Sequence, residues 1–127
     1  MSRQVLDEQI GDVLYRMLKR RRSFDKVGDG FGQRGIQDER IYHLLHGTGK
    51  TFHSQDSDHY HPNNRHQSYC LVYYEVKDAE LVDYILRFLN HPEFNAHAKR
   101  LGKVIKVTPQ YIEYWDVGKQ EKTRVEW

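Results

Sequence analysis

Residues 68–76, SYCLVYYEV, decide how the fold is read. β-Branched and aromatic residues dominate, with Tyr69, Leu71 and Tyr73 on one face and Cys70, Val72, Tyr74 and Val76 on the other. Apolar side chains on both faces make the stretch a central strand rather than an edge. Toward the C-terminus, Asp78 starts a helix whose Leu81, Val82, Ile85, Phe88 and Leu89 form a broad apolar stripe, and Pro92 opens a further turn or two up to Gly102. Residues 103–108, 111–117 and 123–127 then read as three short strands, broken at Pro109-Gln110 and at the polar turn 118–122. This half of the chain is therefore β-α-β-β-β.

Toward the N-terminus, residues 47–66 (GTGKTFHSQDSDHYHPNNRH) show no period and many turn-forming residues, and read as one long polar, histidine-rich loop. Asp38 can cap a short helix carrying Ile41, Leu44 and Leu45, with Gly47 as its left-handed stop. Residues 23–35 hold Gly28, Gly30, Gly32 and Gly35 and read as a loop. From Gln4 to Arg22 the spacing of Leu6, Ile10, Val13, Leu14 and Met17 predicts one helix. The expected fold is a single α+β domain over residues 1–127: two N-terminal helices, then a mainly antiparallel sheet of about four strands with the Asp78 helix across one face. Its core should include Leu71, Val72, Ile105, Val107 and Ile112. The short last strand, ending at Trp127, could pair with a second copy and give a homodimer.

Composition bounds the function classes. The chain has 127 residues, 38% hydrophobic, 30% charged and 13% aromatic, which is enough for one aromatic-rich core. No apolar run approaches the roughly 18 residues of a membrane span, and MSRQVLDEQI lacks the pattern of a secretory leader, so a cytoplasmic protein without a membrane partner is expected. Cys70 is the lone cysteine, which excludes an internal disulfide and a paired-cysteine zinc site.

Two sets of residues carry chemistry. The first is cationic: Lys19, Arg20, Arg21 and Arg22 end the first helix, and Lys26 and Arg34 follow in the glycine-rich stretch with Phe24 and Phe31 between them. Four consecutive cations exceed what a helix C-terminus needs, and a basic, aromatic loop can follow a phosphate backbone. The leading expectation is a small, non-catalytic regulatory or accessory protein that engages nucleic acid through these six residues. A net charge of +2 and a pI near 8.6 give it no global cationic excess. The second set is imidazole-rich, because six of the eight histidines fall between His43 and His66. His53, His59, His61 and His66, with Asp56 and Asp58 nearby, could hold a transition ion such as zinc. Solvated histidines in a polar loop need no metal, so no cofactor is the first expectation. The alternatives are a metal-dependent hydrolase or nuclease built on this loop, with Asp58 handling protons, and a module that binds another protein. Gly47-Thr48-Gly49-Lys50-Thr51 lacks the first glycine of a phosphate-binding P-loop, where Leu44 stands, and nucleotide hydrolysis is set aside.

Overall fold

The computed structural model of the chain describes residues 3–127. Its centre is one eight-stranded mixed sheet with α-helices on both faces. The strands are β1 (Gln4–Leu6), β2 (Phe24–Val27), β3 (Gly30–Phe31), β4 (Thr51–Ser54), β5 (Cys70–Tyr74), β6 (Lys103–Val107), β7 (Ile112–Asp116) and β8 (Thr123–Val125). The helices are α1 (Asp12–Lys19), α2 (Asp38–Leu45), α3 (Leu81–Asn90) and α4 (His97–Arg100). Spatially the strands run β3-β2-β1-β4-β5-β6-β7-β8. All neighbours from β3 to β6 pair parallel, and only β6-β7 and β7-β8 are antiparallel.

The α+β class and the strand-helix-strand-strand-strand order of the C-terminal half match the sequence reading, whereas three of its details are corrected. A strand precedes every helix, the sheet has eight strands rather than about four, and most of the pairs are parallel. The predicted helix over 4–22 is strand β1, a turn, and then α1. Gly11, the residue that precedes α1, takes an extended conformation, and Ile10 is buried ahead of the helix. Val13 and Met17, which seemed to continue the apolar stripe, are exposed, while Tyr15 and Leu18 face the core. Residues 23–35 are not a plain loop. Phe24 and Val27 pack on opposite faces of β2, and Gly28 and Gly30, both at positive φ, turn the chain into β3. Residues 47–66 include β4, and the remainder is organised by two 3₁₀ turns at 57–59 and 62–64.

Parallel pairing of β1-β2, β4-β5 and β5-β6 goes with connection length, since a crossover of a dozen or more residues can return a strand in the same direction, whereas β2 and β3 are joined by residues 28–29 alone. Helix α1 links β1 to β2, α2 links β3 to β4, and α3 and α4 link β5 to β6. One core layer lies under α1 and α3, where Leu6, Val72, Ile105 and Ile112 meet Leu18, Ile85 and Phe88. The other lies under α2, where Val5, Phe52, Leu71 and Val104 meet Ile41 and Leu45. Helices α1 and α3 cover the same face although their connections step in opposite directions along the sheet, so these two crossovers have opposite hands. About 98% of such crossovers are right-handed, and this fold therefore holds an exception.

β4 escaped the sequence reading because it is polar. Thr51, His53 and Ser54 have the composition of a loop, yet all four of its residues are buried. Each polar group has a partner: Arg100 Nε donates to Thr51 Oγ1 at 2.9 Å, and His53 lies 2.7 Å from Tyr74 OH through Nδ1 and 2.7 Å from Gln4 Oε1 through Nε2. Burial, reinforced by the Arg100 charge, pushes the His53 pKa down to about 3. The unfolded chain titrates near 6.5 at this residue, so below that pH it binds a proton that the folded chain refuses. The His53 contribution to stability is thus complete above pH 6.5 and declines as pH falls toward 3. Between pH 7.5 and 5.5 the wild type should lose about 1.4 kcal/mol more than His53→Gln, measured by urea unfolding. An identical loss in the two proteins would remove this account of the buried ring.

Candidate metal centre

The strand order reverses between β1 and β4: the chain leaves β1 toward β2 and leaves β4 toward β5. In open α/β sheets such a switch point opens a crevice beyond the carboxyl ends of the strands. Asp7 follows β1, Asp56 follows β4 by two residues, and Asp38 opens α2, so three carboxylates from distant parts of the chain reach that crevice. Together with Glu8 they line a groove of about 370 Å³, whose apolar wall includes Ile36 and Ile41.

His59 closes the group from the 57–59 turn. It is buried, and its Nε2 lies 3.5 Å from Asp7 Oδ2 and 3.9 Å from Asp38 Oδ1. Ligand atoms of Asp38, Asp56 and His59 all lie within 4.8 Å of one another, a grouping that could hold a metal ion. On the far side of the ring, Nδ1 is 2.6 Å from Tyr42 OH, and Asn64 Nδ2 donates to that hydroxyl at 3.4 Å and to the His59 carbonyl at 3.2 Å. The tyrosine hydroxyl can donate or accept, so it holds the ring in one orientation whichever nitrogen carries the proton.

Ser54 couples the two strand ends. Its hydroxyl donates to Asp7 Oδ2 at 2.6 Å and accepts from the Asp56 amide at 2.9 Å. Burial by itself would raise the Asp7 pKa, but hydrogen bonds from His59 and Ser54 outweigh it and hold the carboxyl below its usual value. Asp38 is pushed the other way, by burial first and then by the neighbouring Asp56 and Asp7 charges. For His59, burial opposes the charged form, yet Asp7, Asp38 and Asp56 together raise its pKa.

Of the four histidines singled out in the sequence, only His59 stands at this crevice. His53 is in the core. His61 is exposed and accepts the Asn63 amide at 3.0 Å, capping the 62–64 turn. His66 accepts the Ser68 amide at 3.1 Å and its ring packs 3.9 Å from that of His46. Asp58 is exposed, and its amide donates to Asp56 Oδ1 at 2.9 Å. The cationic set divides as well. Lys19, Lys26 and Arg34 line a second groove, joined by Arg16, which shares Glu8 and Val27 with the acidic one. Arg20, Arg21 and Arg22 precede β2 and line, again with Lys19, a separate groove toward the amino end of that strand, where Arg22 Nη2 donates to Asn90 Oδ1.

Asp7, Asp38, Tyr42 and Ser54 were not read as functional from the sequence. By local pattern Asp7 falls inside a helix, Asp38 is a cap, and Ser54 is one polar residue among many. Comparison of the chain with protein-family models, curated proteins and solved structures returns no match.

Ser54→Ala would strand a buried carboxylate and a backbone amide together. Losing a hydrogen bond to a charged group costs about 1.5–3 kcal/mol, so the urea midpoint should drop by the corresponding amount with the m-value unchanged. A midpoint equal to wild type would show that Ser54 does not join the two strand ends.

Proposed function

We propose that the chain is a divalent-cation-dependent hydrolase of phosphodiesters, acting on nucleic acid. The observation that carries this reading is the convergence of Asp38, Asp56 and the buried His59 within 4.8 Å at the sheet's switch point. Three protein ligands leave coordination positions open for water and a phosphoryl oxygen. A cation bound there would lower the pKa of its water and polarise the phosphorus centre. Asp7, facing the same Nε2 across the crevice, is placed to take a proton from that water. Tyr42 and Asn64 hold the imidazole in place, the role outer partners commonly play at metal-ligating histidines. A nitrogen among oxygens favours Mn²⁺ or Zn²⁺ over Mg²⁺, which prefers an all-oxygen shell. The phosphodiester class is supported by the groove sharing Glu8 and Val27 with the acidic one, where Arg16, Lys19, Lys26 and Arg34 line the wall. Those cations also favour a second reading, a non-catalytic protein that binds nucleic acid without cutting it.

Calorimetric titration of EDTA-stripped protein should give one Mn²⁺ or Zn²⁺ site, and Asp38→Asn or His59→Gln should weaken it at least about tenfold. The same metal should switch on cleavage of DNA or RNA, and each substitution should abolish that activity. Absence of any saturable metal site in the stripped, folded protein would sink the hydrolase. Oligonucleotides that bind but stay intact at saturating Mn²⁺ and Zn²⁺ would establish the second reading instead.

A further inference from the structure

The second groove, about 450 Å³ in volume, has an unusual occupant. Lys26 sits at the end of β2 with its side chain 11% exposed, and its ammonium lies 5.9 Å from the centre of the Tyr15 ring. A lysine that far from water needs an anion, and it has one: Asp12 Oδ1, 3.1 Å away. The anion is held on one side only. The Asp12 side chain is 79% exposed and belongs to the first residue of α1, so one rotamer change can withdraw it. Arg16 and Arg34 are close enough to act on the same carboxylate, and together with Lys26 they hold it below its ordinary pKa.

Without Asp12, the groove's cations are Arg16, Lys19, Lys26 and Arg34, and its remaining acids are Glu8 and Asp29. Glu8 is already engaged, since its Oε1 accepts the Gly35 amide at 2.7 Å. A carboxylate held by a recessed lysine with two arginines nearby is a close electrostatic stand-in for a phosphate, and phosphate offers more acceptor oxygens to the same donors.

We propose that the Lys26 pocket is a phosphate subsite, that it takes a phosphate of the substrate strand adjacent to the one that is cut, and that Asp12 fills it in the free protein as a tethered competitor. The placement rests on the hydrolase reading, because Glu8 and Val27 wall both this groove and the acidic one. The affinity for phosphate does not, and it can be tested without metal.

Binding of a fluorescein-labelled ten-nucleotide single strand, followed by anisotropy in EDTA at low salt, separates the two. Asp12→Asn removes the competitor and keeps the shape, and it should tighten binding about three- to tenfold. Lys26→Met keeps the buried stem and should weaken it by about tenfold or more. Arg34→Gln, a change at an exposed residue, should weaken it in the same direction if Lys26→Met fails to fold. Inorganic phosphate should compete against the strand and shift the Tyr15 ring resonances in wild type, and at lower concentration in Asp12→Asn. An Asp12→Asn protein that binds no tighter than wild type, or phosphate competition that leaves Tyr15 unmoved, would overturn the subsite. Either result leaves the metal titration untouched. Conversely, loss of the metal site with these shifts intact would overturn the hydrolase alone and leave a phosphate pocket.

Discussion

The structure depends on the burial of a polar strand. β4 lies between β1 and β5, and three of its four buried residues carry polar side chains. An unpaired buried polar group costs about 1–3 kcal/mol, so a strand like this forms only where the surroundings supply every partner. Among the described residues, no fully buried side-chain nitrogen or oxygen lacks a hydrogen-bond partner. Meeting that demand fixes much else. Thr51 draws in Arg100, whose Nη1 also donates to the Phe94 carbonyl at 2.7 Å and so fastens α4 beside the sheet. His53 requires Gln4 from one neighbouring strand and Tyr74 from the other. Ser54 requires an acceptor, and the residue that supplies one is Asp7. The same pairing that makes β4 stable therefore delivers the first acid to the crevice.

The acids that follow have local partners of their own, since Asp56 accepts the Asp58 amide and both Asp38 and Asp56 favour a charged His59. Asp7, Asp38 and Asp56 converge on one imidazole, and mutual repulsion contributes to the elevated pKa of Asp38. Asp7 already meets both Ser54 and His59. Concentrating two further carboxylates where the sheet opens costs electrostatic energy, and such local costs are characteristic of sites that act on something. Both flanks of the arrangement are braced, Asp7 by Ser54 and His59 by Tyr42 and Asn64. That is what holding ligands in one geometry demands.

How much of this the sequence displays depends on the kind of signal. Segments that bury apolar side chains announce themselves: the strand around Leu71 and Val72, the α3 stripe and the three closing strands are legible from hydrophobic alternation and helical spacing. Segments stabilised by polar pairing do not, because Thr-Phe-His-Ser reads as loop until Gln4, Tyr74, Asp7 and Arg100 are known to surround it. The three-residue β1 is too short for any period, and Ile10, buried ahead of the helix, lent a false helical continuity to Leu6. Missing β1 and β4 removes the parallel half of the sheet and with it the switch point. The carboxylate cluster was therefore invisible, although His59 and Asp56 drew notice in the histidine-rich segment. The His59 neighbours come from positions 7, 38 and 42, and no local spacing links them.

The small net charge of +2 takes on a different meaning once the charges are located. A dedicated nucleic-acid module carries a broad cationic excess, and this chain does not. Two adjoining grooves differ in charge instead: one is walled by Asp7, Glu8, Asp38 and Asp56 without a cation among the described residues, and the other gathers Arg16, Lys19, Lys26 and Arg34 alongside Glu8, Asp12 and Asp29. In the proposed hydrolase, a phosphate to be cleaved would enter among carboxylates, which repel it unless a divalent cation stands between them, so the reaction would be conditional on metal. A neighbouring phosphate would need no metal on that reading, because fixed cations would meet it and hold the strand in register. In a fold whose global charge is nearly balanced, the proposed affinity for a polyanion would reside in this local separation, which an overall charge count averages away.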